Sequence, residues 1–91
     1  MILPTIHLNG TSAKELCEQY STAAFAVRDA INAVQNSSPH GRDYYPQGNC
    51  NCARAQHEHS QRLDALESIY RELEALWTHC CESAVAREAR K

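Results

Sequence analysis

A seam of apolar residues constrains this chain more than any other feature: Leu63, Leu66, Tyr70, Leu73, Trp77, Cys80 and Ala84 recur in steps of three and four over three heptads. Only a helix lines such positions up on one stripe, and so regular a stripe needs a second helix against it. The matching stripe lies earlier. Leu16, Tyr20, Ala23, Val27, Ala30 or Ile31, and Val34 follow the same steps, and alanines at 24, 26 and 33 let a neighbour approach closely. Ser12 with Glu15 three residues on is a capping box that starts this helix at about Ala13. Asn36-Ser37-Ser38-Pro39 ends it, because the residue before a proline is pushed out of the helical region.

The spacing predicts an all-α fold, an antiparallel helical hairpin with a short extended N-terminal arm. Residues 1–91 form one domain: an arm at 1–10, a helix at 12–36, a polar loop at 37–51 and a second helix at 52–86. In the arm, Pro4 to Leu8 alternates in the strand manner but is too short to be stable unpaired. Asn49 or Asn51 is placed to cap the second helix. Two antiparallel helices cannot enclose a core, and Ile69 and Leu76 lie off the main seam. The hairpin is therefore expected to form a homo-oligomer, at least a dimer, as a four-helix bundle or a larger symmetric assembly.

Composition narrows the class. At 91 residues, 43% hydrophobic and 22% charged, with three Gly and three Pro, the chain has the make-up of a globular domain and not of a disordered or fibrous one. A formal charge of −2 argues against binding to duplex nucleic acid, whose readers carry a basic surface. No apolar run approaches the ~20 residues of a membrane span, and Met1 to Leu8 lacks the features of a signal peptide. A soluble protein of the cytoplasm is expected. The five cysteines are odd in number and poorly spaced, Cys80 beside Cys81, Cys50 two from Cys52, and Cys17 alone. Without a secretory signal, reduced thiols are the expectation.

The densest chemistry is in the loop, Gly41-Arg42-Asp43-Tyr44-Tyr45-Pro46-Gln47-Gly48. Arg42 offers a planar fork to phosphate, Tyr44 and Tyr45 offer flat faces to a base, and Gln47 can read a base edge. The competing reading is a structural loop whose tyrosines cover the end of the hairpin. Carried backwards, the seam turns polar at Gln56 and His59, with Arg62 alongside, and a polar seam is costly unless something fills it. Asn9, Thr11 and Ser12 stand at a helix N-terminus, where free N–H groups and the positive helix pole favour an anion, although capping alone accounts for the hydroxyls. Helix one separates that segment from the loop by ~36 Å at ~1.5 Å per residue, so one site using both must lie between protomers. Cys50, Cys52, His57, His59, His79, Cys80 and Cys81 suggest zinc, but a two-residue step points helical histidines to opposite sides. No metal, cofactor or enzymatic activity is expected, since no paired carboxylates, phosphate-cradling glycine loop or nucleophile elbow occurs.

With Ile6-His7-Leu8-Asn9-Gly10-Thr11-Ser12, a helix, and then Gly41-Arg42-Asp43-Tyr44-Tyr45-Pro46-Gln47, the chain resembles small uncharacterised proteins of bacteriophages and bacterial prophages over most of its length. In size and hairpin layout it is also similar to the phage sponge proteins, anti-CBASS and anti-Thoeris inhibitors that sequester cyclic nucleotide immune signals. That second likeness is architectural. It implies an oligomer with ligand sites between protomers and no catalysis. The resulting expectation is an oligomeric binder of a small anionic nucleotide in the host bacterial cytoplasm, using Asn9, Thr11, Ser12, Arg42, Tyr44, Tyr45, Gln47, Gln56, His59 and Arg62. The alternative is a helical interaction protein whose seam binds a host or phage protein.

Overall fold

In the computed structural model, which describes residues 1–89, the arm leads into helix α1, Ala13–Asn36. A single-turn helix α2, Gly41–Tyr44, runs into a 3-10 turn at Tyr45–Gln47, and helix α3 takes Asn49–Ala89. No strand forms among the described residues, so the alternating arm finds no ladder. Helices α1 and α3 pack against each other as an antiparallel hairpin.

Local chemistry sets the helix ends. Ser12 holds an extended backbone, and its hydroxyl accepts the Glu15 N–H at 3.1 Å, one half of the capping box. At the other end both the N–H and the hydroxyl of Ser37 donate to the Val34 carbonyl, at 3.0 and 2.8 Å. The segment expected as a polar loop is itself largely helical. Helix α3 accordingly starts at Asn49 and not at 52, and it runs to Ala89 and not to 86. Gly48, at φ +98°, is the one positive-φ residue among those described, and it turns the chain from the 3-10 turn into α3. Asn51 lies within the first turn, where its amide donates to Gln47 Oε1 at 3.3 Å instead of capping the helix.

The cysteines depart from expectation. Cys17 on α1 and Cys81 on α3 form a disulfide, with Cα atoms 5.1 Å apart across 64 residues of sequence. Both lie one position beyond a seam residue, Leu16 and Cys80, on the same edge of the hairpin, so helix packing brings them together. Cys50, Cys52 and Cys80 are free thiols.

That disulfide and the pairing of Arg28 with Tyr70 fix the register. Eight residues forward from Arg28 along α1 is Asn36; eight back from Tyr70 along α3 is Arg62. Helix α1 thus ends level with Arg62, and α3 continues past it from Gln61 back to Asn49, about 20 Å at ~1.5 Å per residue. Only the α2 segment accompanies α3 there. The molecule is a rod of 66 × 20 × 18 Å.

A rod this thin has little interior. Among the described residues the buried apolar ones are Ala13, Ala24 and Cys80, whereas Leu16, Val27, Val34, Leu66, Leu73 and Trp77 are only half-buried. Phe25 meets Trp77 edge to face at 5.3 Å, yet half of the Phe25 surface stays exposed. The accessible surface is 6805 Å² for 10.2 kDa, against about 5300 Å² for a compact monomer of that mass. The radius of gyration is 19.4 Å, against about 12 Å for a compact chain of this length.

Candidate functional site

Beyond the end of α1, the α2 segment lies against α3 and leaves a cavity of about 350 Å³ between them. Pro39, Tyr44 and Gln47 line it from the connecting segment; Asn51, Arg54, Ala55, Glu58 and Arg62 line it from α3. Arg54, Glu58 and Arg62 succeed one another at steps of four, which on a helix stacks them along one edge. The Arg62 guanidinium and the Glu58 carboxylate stand 4.0 Å apart with both side chains mostly exposed, a pair that contributes little to stability. Two planar cations, a half-buried tyrosine and two amides face one open cleft, a donor set suited to an anion carrying a flat ring.

Of the residues singled out from sequence, Tyr44, Gln47 and Arg62 meet here. Arg42 and Tyr45 belong to the same segment but do not line the cavity. Arg42 is exposed and its N–H donates to His40 Nδ1 at 3.2 Å, while Tyr45 is 75% exposed. Gln56 is exposed and off the seam; the half-buried Ala55 takes the inward position, because the seam steps from Cys52 by three and then by four to His59. His59 is buried, on the seam side and outside the cavity, and its Nε2 has no hydrogen-bond partner. His57, two residues away, is exposed. Asn9, Thr11 and Ser12 are exposed at the opposite end of the rod, so a single copy does not unite them with the cavity.

Arg54 was not singled out as a site residue, although it falls inside the helix expected from residue 52 and its four-residue spacing to Glu58 and Arg62 is a readable signal. At the arm end, Pro4 O lies 2.8 Å from His79 Nε2, and Arg87 donates to Ile6 O at 3.1 Å, which pins the arm along α3. Midway, the Arg28 guanidinium sits 5.6 Å from the Tyr70 ring centre and donates to its hydroxyl at 3.3 Å. Burial pushes the Cys80 thiol above its ordinary value.

Comparison with known protein families, curated sequences and solved structures finds no match. The chemistry of the cleft is therefore the guide to function. None of the described helices is long and apolar enough to cross a membrane.

Proposed function

We propose that this protein binds a small anionic nucleotide and withholds it, a sponge for a cyclic nucleotide immune signal in a conflict between phage and host. The observation that supports this reading is the cleft between the α2 segment and α3, where Arg54 and Arg62 stand opposite Tyr44 and Gln47. The arginines take phosphate, the tyrosine stacks on a base, and Gln47 with Asn51 reads its edge. Its volume of about 350 Å³ falls at the small end of ligand sites, suited to a mononucleotide or one lobe of a larger cyclic ligand. Arg42, two residues before Tyr44, and Tyr45, one after it, are both exposed and placed to close over a bound ligand. Binding without catalysis is the proposed role.

The proposed compartment is the host cytoplasm, where reductants keep most thiols free. The Cys17–Cys81 bond opposes that placement, and mass spectrometry of alkylated protein taken directly from host cells decides it. For function, the purified protein is incubated with cyclic oligonucleotides and cyclic ADP-ribose isomers, washed and denatured. Recovery of intact ligand supports the sponge. A chemically altered ligand indicates an enzyme, and no binding to any of them puts a helical interaction protein ahead.

A further inference from the structure

We infer that a second copy of this chain docks antiparallel on one apolar face of the hairpin and brings its Asn9–Ser12 segment to the nucleotide cleft. The face follows from helical geometry. On α3, Leu66, Ile69, Leu73 and Leu76 extend the seam to one side only, and Ile69 is 46% exposed. On α1, Ala23, Ala30 and Val34 turn to that same side and are only half-buried. The other side carries Arg28, Asn32, Gln35, Glu67 and Arg71 around an open polar groove. Ile31 and Tyr70 also line that groove, and Phe25, three and seven residues before Arg28 and Asn32, exposes half its surface there, so the first side is the more continuously apolar of the two.

The surface area argues for a copy of the chain as the occupant. Each chain exposes about 1500 Å² more than a compact monomer of its mass, and a standard-sized interface takes about 800 Å² from each partner. A flat face from two helices is self-complementary under a two-fold axis, and the small alanines let α1 approach its neighbour closely. Charge selects the direction. Parallel docking sets the Arg54 and Arg62 cleft of one copy level with that of the other, whereas antiparallel docking separates the two clefts along the rod.

The register then determines what meets the cleft. The apolar face is centred near the level of Tyr70. Asn51 to Arg54 lie 19 to 16 residues before that level on α3, so a two-fold there matches them to positions 16 to 19 residues beyond it on the partner's α3. The same α1–α3 register that aligns Arg28 with Tyr70 puts residues 9 to 12 at that height. Asn9, Thr11 and the positive pole of α1 thus join the cleft of the opposite copy, with neighbouring helices 8–10 Å apart. This rests on the nucleotide reading for its purpose, but its test needs no nucleotide.

In a Cys50→Ser, Cys52→Ser background, Thr11→Cys chains are mixed with Arg54→Cys chains under subunit exchange and treated with a short bis-maleimide. A covalent dimer joining the two variants is expected. Links between Thr11→Cys chains alone, or no mixed link in a protein that sediments as a dimer, overturn the proposal. The unmodified protein is also run by sedimentation velocity at micromolar concentration: a dimer that Ile69→Glu converts to a folded monomer is expected, and a wild-type monomer overturns it.

Discussion

Glu58 stands between Arg54 and Arg62 on the cleft wall, a carboxylate where an anion would bind. Its charge opposes phosphate and occupies part of the Arg62 fork. Glu58→Gln should therefore tighten binding of a nucleotide severalfold, read by equilibrium dialysis, and unchanged or weaker binding would remove the arginines from the role given to them. His59 presents a different problem. A buried imidazole nitrogen without a partner costs about 1–3 kcal/mol, and an apolar residue of similar volume removes that cost. His59→Leu should leave urea stability equal or higher; a loss above about 1 kcal/mol would mean that Nε2 is bonded in the assembled protein. Cys80 supplies a pH dependence. Its neutral thiol is favoured by burial, so the contribution to stability is whole below the ordinary value of 9.0 and is lost as pH rises through the higher folded value. Iodoacetamide should accordingly modify Cys50 well before Cys80 in the folded protein.

The hairpin joins elements of unequal length, 24 residues against 41, and the cleft exists because of the difference. Where α1 stops, α3 has an uncovered edge on which the α2 segment lies. Both helices were legible from their seams, and the α1 cap was legible from Ser12 and Glu15. The start of α3 was not, since Gly41–Tyr44 and Tyr45–Gln47 are too short to show a period and the loop's Gly and Pro content masks their helicity. The disulfide was hidden for another reason: 64 residues separate Cys17 from Cys81, and only the α1–α3 register makes them neighbours. Closing so long a loop limits the unfolded chain by about 4 kcal/mol. Cys17→Ser should lower the melting temperature by roughly 15–30 °C, and dithiothreitol should do the same to the wild type but not to the variant. Equal sensitivity of both proteins to the reductant would contradict the bond.

At the scale of the whole molecule, a 66 Å rod with almost no interior carries an apolar strip along its middle and a polar cleft toward one end. The sequence indicated the need for more cover through Ile69 and Leu76. It also indicated three of the eight residues that line the cleft, Tyr44, Gln47 and Arg62; Arg54 was missed because nothing in the sequence shows that the α2 segment lies against its edge of α3. The proposed role of the rod stands on whether that cleft holds an anion. Equilibrium dialysis of wild-type protein and an Arg54→Ala, Arg62→Ala variant against a panel of cyclic nucleotides tests this most directly, with melting followed in parallel. The expected result is micromolar or tighter binding of at least one nucleotide by the wild type, weakened at least tenfold in the variant with little change in melting temperature. Binding that survives loss of both arginines, or its absence across the panel in folded wild-type protein, would contradict the account.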